Sequence, residues 1–98
     1  MDIEKVKEEI VKIIMAELPE GYNAFFFGSR FTGTAGERSD LDVGLEEKNG
    51  NEIPFEIISR IKARCEAIPT LFMIDIVDFT NVDKDFKEIA KSKIEIIE

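Results

Sequence analysis

Tyr22 to Leu45 reads YNAFFFGSRFTGTAGERSDLDVGL, and this stretch decides the fold. It begins as an aromatic run, Tyr22 to Phe27, which has the composition of a buried strand and stops at Gly28. Residues 28 to 39 hold Gly28, Gly33 and Gly36 among small polar residues, the makeup of a loop or one short helical segment. Asp40-Leu-Asp-Val-Gly-Leu45 then alternates polar with apolar residues, a second strand with one face on a core. On such a strand Asp40 and Asp42 project together, while Leu41, Val43 and Leu45 face the other way.

Outward from this centre the chain is helical on both sides. Ile3, Val6, Ile10, Ile13, Ile14 and Leu18 recur at three- and four-residue steps, predicting an amphipathic helix that ends at Pro19 and Gly21. Glu46 to Glu52 predicts a turn. Ile57, Ile58, Ile61, Cys65 and Ile68 predict a second helix, with Pro54 in its first turn and Pro69 beyond its end. Leu71 to Val77 predicts a third apolar strand broken only by Asp75. A last helix follows from a cap at Thr80 or Asn81, with apolar positions Val82, Phe86, Ile89, Ala90, Ile94 and Ile97. The expectation is one domain over residues 1–98, of mixed α/β (α+β) class, with helices packed on a small mixed sheet.

Composition narrows the chemistry. The 98 residues contain no histidine, which removes imidazole bases, Ser-His-Asp arrangements and His-ligated metals. The single cysteine, Cys65, excludes an internal disulfide and a Cys-rich zinc site and suits a reducing cytoplasm. Its place on an apolar helical stripe makes it a core residue. Thirteen Lys and Arg against 21 Asp and Glu give a formal charge of −8, which is no footprint for direct nucleic-acid binding. No apolar stretch approaches a membrane span, and the acidic opening at Asp2 and Glu4 predicts no signal peptide.

Three features carry chemistry. Two carboxylates side by side repel unless a proton or a cation sits between them. Magnesium resolves that conflict, since it takes one or two carboxylates and completes its shell with phosphates and water. Asp75 is a third carboxylate, within an otherwise apolar strand, and a buried charge there needs a partner. If its strand lies beside the Asp40–Asp42 strand, three acids converge, as a one- or two-magnesium centre for phosphoryl or nucleotidyl transfer requires. Gly28 and Ser29, where a strand gives way to a loop, can let a phosphate approach the backbone and add a hydroxyl donor. Each feature has a plainer reading. Gly-Ser after a strand is a turn, an Asp-x-Asp edge can be a solvated face, and Asp75 can pair with Arg60 or Arg64. Phe25 to Phe27 read as strand packing, and Asp78 as a capping or supporting group.

Taken together, Phe27-Gly-Ser through Ser39-Asp-Leu-Asp42 resembles the signature of the DNA polymerase β-type nucleotidyltransferase superfamily, and the whole chain is similar to its minimal nucleotidyltransferases. The resemblance implies the nucleotidyltransferase fold, with Asp40 and Asp42 binding Mg2+ and Asp75 completing the metal site and helping to activate an acceptor hydroxyl. It assigns Gly28 and Ser29 to the nucleoside triphosphate, and Arg30, Gly33 and Ser39 to the surroundings of the phosphate loop. Thr32 departs from the pattern, standing where the family often has a second arginine.

Small members of the family are commonly paired with a HEPN-domain toxin. Such a member is the antitoxin and can transfer AMP from ATP to a tyrosine of its partner. The resemblance therefore implies a magnesium-dependent protein adenylyltransferase acting in the cytoplasm. The alternative is a non-catalytic antitoxin that neutralises its partner by binding, and a third reading is an enzyme acting on a small molecule or a tRNA end. Apolar positions on the first or last helix can serve a partner or a homodimer.

Overall fold

In the computed structural model the described residues are 2–27, 41–82, 85, 87, 88 and 94–97. Helix α1 spans Ile3–Glu17 and starts where Asp2 accepts a hydrogen bond from the Lys5 backbone N–H at 2.9 Å. Its apolar stripe buries Val6, Ile10, Ile13 and Ile14. The last turn closes with Leu18 N–H donating to Ile14 at 2.8 Å, and Pro19 follows. Gly21, at φ 92°, turns the chain into strand β1, Tyr22–Phe27; a side chain would strain that backbone.

Strand β2, Leu41–Glu47, lies antiparallel to β1, with Tyr22 opposite Glu47 and Phe27 opposite Asp42. It runs two residues further than the expected strand. Glu47 ends it by accepting from the Asn49 and Asn51 backbone N–H groups, both at 2.8 Å, so this glutamate organises the turn. Helix α2, Phe55–Glu66, begins after Pro54 and buries Ile57, Ile61 and Cys65. It crosses back so that β3, Ile74–Asp78, runs parallel to β2, the usual arrangement when a helix joins parallel strands. The third strand is therefore shorter than Leu71–Val77. Leu71 and Met73 are exposed, and the ladder with β2 starts where Leu41 N–H donates to Met73 O at 2.7 Å.

A fourth strand corrects the expectation of three. Glu95–Ile97 forms β4, antiparallel to the other edge of β1, giving the order β3-β2-β1-β4. Ile97 thus belongs to a strand, where it is buried opposite Ala24. Asp78 caps a short 3-10 helix, Phe79–Asn81, accepting from the Thr80 N–H at 2.8 Å, so its capping role holds. Residues 85, 87 and 88 are helical; the rest of the expected last helix up to residue 93 lies outside the described residues, save Val82.

Both sheet faces are covered, unequally. The main core lies between one face and the two helices and takes Ala24, Phe26, Leu41, Val43, Leu45, Ile76 and Ile97 from the strands. Two side-chain links fasten it. Glu17 accepts from Arg60 Nε at 3.1 Å and from Arg64 at 2.9 Å, joining α1 to α2. Lys7 pairs with Glu95 at 2.7 Å and sits 5.1 Å over the Phe26 ring, joining α1 to β4. The opposite face carries a smaller cluster of Phe25, Phe27 and Phe79, with Val77, Val82 and Ile94 at its margin.

Candidate active site

Strand alternation decides where the carboxylates go. Leu41, Val43 and Leu45 are fully buried on the helical face, so Asp42 and Gly44 belong to the opposite one. The same holds on β3, where Ile74 and Ile76 pack on the main core, leaving Asp75 and Val77 on the far side. The register then sets Asp42 directly beside Asp75. Neighbouring strands lie about 4.8 Å apart, so the two carboxylates share one patch of one face. Asp42 is half-buried and Asp75 is exposed.

Asp75 departs from the expected buried charge. The charge is not buried, so no desolvation cost demands a partner. Nor does Arg60 or Arg64 claim it, since both bind Glu17 on the helical side. Among the described residues Asp75 makes no hydrogen bond or ion pair that competes with a ligand. Asp40, Gly28, Ser29, Arg30 and Ser39 lie outside the described residues. Their assignments rest on the motif and on chain connectivity: Gly28 follows the last residue of β1, and Asp40 precedes the first residue of β2.

The floor of the site is aromatic. Phe79 meets Phe25 and Phe27 edge-on, with ring centroids 5.0 and 5.1 Å away. Phe27 is the register partner of Asp42, and Phe25 that of Gly44. A Cβ on Gly44 would stand 2.4 Å from the Phe25 ring and 2.8 Å from that of Phe79. Gly44 is therefore the gap that lets both rings approach β2, two residues after Asp42. Neither Gly44 nor Phe79 is marked by the motif. The signal available in the sequence is a glycine inside a strand, which indicates a close approach by another group.

The donor set fits a hard divalent cation. Two carboxylates stand together on one face, the chain supplies no histidine, and the lone thiol, Cys65, is buried in the helical core. Among the described residues no group of three His, Cys, Asp or Glu side chains converges, so any third protein ligand comes from beyond them. Open depressions of about 430 and 370 Å³ lie along the helices, one beside Arg64 and Pro69, the other beside Lys7 and Glu95. Neither is lined by Asp42 or Asp75.

Comparison with known proteins identifies the family. Residues 8–98 match the family described as "Polymerase beta, Nucleotidyltransferase". The chain belongs to this nucleotidyltransferase family. It is 29% identical over 100 residues to a probable protein adenylyltransferase MntA of Haemophilus influenzae, covering all of this chain and 84% of that protein. Among solved structures it resembles a toxin–antitoxin crystallised with AMP-PNP (TM-score 0.71, 16% identity, 94% of this chain and 72% of that one). It also resembles a complex of tri-AMPylated Shewanella oneidensis HEPN toxin with MNT antitoxin (TM-score 0.67, 12% identity, 97% and 71%). At these identities the structural likeness establishes the nucleotidyltransferase fold, a mixed sheet with helices packed on it. No described helix is long and apolar enough to cross a membrane.

Proposed function

We propose that this nucleotidyltransferase transfers AMP from ATP to a tyrosine hydroxyl of a HEPN-domain toxin and so acts as the antitoxin of a pair. The observation that carries this reading is the pairing of Asp42 with Asp75 on one sheet face, at the end of β1 from which the Gly28-Ser29 motif continues. The MntA relative and the AMPylated HEPN complex support the choice of donor and acceptor. Cytoplasm, where ATP and magnesium are abundant, is the compartment this chemistry suits.

In the proposed reaction the acceptor oxygen attacks the α-phosphorus of ATP. The new O–P bond forms as the bond between the α-phosphorus and the bridging oxygen to the β-phosphate breaks, and pyrophosphate leaves. Magnesium, when bound, neutralises the phosphates and lowers the acceptor's pKa. Asp42 and Asp40 hold it, the first from within β2 and the second from the position just before it. Asp75 takes a share of the site from β3 and orients the acceptor hydroxyl, whose proton passes to this carboxylate or to water. Gly28 and Ser29, with Arg30 and Ser39, bind the triphosphate.

The test uses ATP labelled at either the α- or the γ-phosphate, the HEPN-domain protein of the source organism, and magnesium. Label transferred only from the α-position is expected, and Asp42→Asn is expected to lower it at least about a hundredfold without changing the melting temperature by more than a few degrees. Label arriving from the γ-position would refute nucleotidyl transfer. Unchanged neutralisation of the toxin by the Asp40→Asn, Asp42→Asn double variant would instead establish an antitoxin that works by binding.

A further inference from the structure

Strand β3 is an edge of the sheet among the described residues, and its hydrogen-bonding pattern is readable. Leu41 N–H donates to Met73 O, and in a parallel ladder this phase turns the polar groups of Asp75 and Val77 towards β2. The backbone N–H and C=O groups of Ile74, Ile76 and Asp78 therefore point away from the sheet. Such a row is a template for another strand. Among the described residues no further strand pairs with this edge and no lysine or proline blunts it; Asp75 and Asp78 are the charged residues of β3, and its entrance displays Leu71 at 98% and Met73 at 66% exposure. The opposite edge differs, since β4 has only three residues and Glu95 is tied to Lys7.

We infer that the free edge of β3 is the docking site for the acceptor, whose tyrosine-bearing segment adds to the sheet as an extended strand. The inference rests on the reading that a partner protein supplies the hydroxyl. A strand added there stands about 4.8 Å from β3. Its residue opposite Asp75 projects onto the face that holds Asp42 and Asp75. From that position a tyrosine hydroxyl, at the far end of a ring, reaches across Asp75 towards Asp42 on the next strand. The edge thus explains how an acceptor is held beside the carboxylate pair. Its charged side chains are Asp75 and Asp78, in a chain of net charge −8, so the complementary segment is basic around its tyrosine. Leu71 and Met73 offer an apolar contact where that segment enters or leaves.

Strand addition hydrogen-bonds the three outward amides, and a proline–alanine pair at one of them separates such bonding from mere coverage of the edge. Amide exchange is followed residue by residue in the full chain, with magnesium, AMP-PNP and the HEPN-domain protein of the source organism present or absent. The amides of Ile74, Ile76 and Asp78 are expected to slow at least about tenfold on binding, while those of Asp75 and Val77, already bonded to β2, change little. In parallel, Ile74→Pro removes an outward N–H at an edge position that accepts proline, and Ile74→Ala removes the same side chain but keeps the N–H. The proline variant is expected to label the partner roughly tenfold less than the alanine variant, with AMP-PNP affinity equal in the two. Labelling by the unaltered protein without the alternating protection, or equal labelling by both variants, overturns the docking mode and leaves the adenylyltransferase reading standing. Absence of labelling by the unaltered protein overturns both.

Discussion

Gly44 shows how a single missing side chain can set the geometry of a site. Two aromatic rings occupy the volume that its Cβ would need, one of them 2.4 Å from it. Both rings are fully buried and cannot withdraw without opening the smaller core. Gly44→Ala is expected to destabilise the fold by about 1–3 kcal/mol through overpacking. Urea denaturation measures that loss, and because β2 must shift to relieve the clash, transfer activity should fall even where the protein remains folded. Asp75 contributes differently. It is exposed, so in the proposed function Asp75→Asn is expected to lower transfer while leaving the urea midpoint nearly unchanged.

At the scale of the element, α2 holds one buried thiol and one ionic clamp. Burial lifts the Cys65 pKa from 9.0 to about 11 despite the opposing charge of Arg64. The native state thus retains a proton that the unfolded chain releases. Stability is complete below about pH 9 and declines as pH rises towards 11. Thermal melts across that window should show the decline, and Cys65→Ala, though less stable at neutral pH, should flatten it. The Glu17 carboxyl moves the other way, held below its ordinary range chiefly by the hydrogen bond from Arg64 and then by Arg60. That contribution is present above the ordinary carboxylate range and is lost as acid protonates Glu17.

Elements also show what a sequence can reveal. The alternation of Leu41, Val43 and Leu45 predicts correctly which face of β2 is buried, because a half-covered strand leaves a two-residue period. The helices end near their prolines for an equally local reason. Leu71 to Met73 misleads, since an apolar run carries no mark of where a neighbouring strand stops offering hydrogen bonds. Ile94 and Ile97 mislead for a related reason: a three-residue spacing fits a helix, but the free edge of β1 draws Glu95–Ile97 into the sheet. Of the candidate site, the neighbouring Asp42 and Asp75 follow from placing two predicted strands side by side. The aromatic floor does not, because Phe79 reaches it only through a turn after β3.

Among the described residues the sheet is a partition with a large core on one side and a cluster of Phe25, Phe27 and Phe79 on the other. Phe79 anchors the smaller side, fully buried and in edge contact with both Phe25 and Phe27. Phe79→Ala is expected to cost about 3–5 kcal/mol. Against a total of about 5–15 kcal/mol for such a domain, that loss leaves little reserve. Equilibrium unfolding in urea checks it, and a midpoint close to that of the unaltered protein would show that the smaller core carries little weight.

The parallel pairing of β2 with β3 has a consequence in time. Strand β2, with Asp42, leaves the ribosome well before Asp75, and all of α2 must cross back before the two carboxylates can meet. A nascent or truncated chain can thus hold the motif and much of the sheet yet lack a complete site. Competence to react arrives as a late event of synthesis, set by the closing of one crossover.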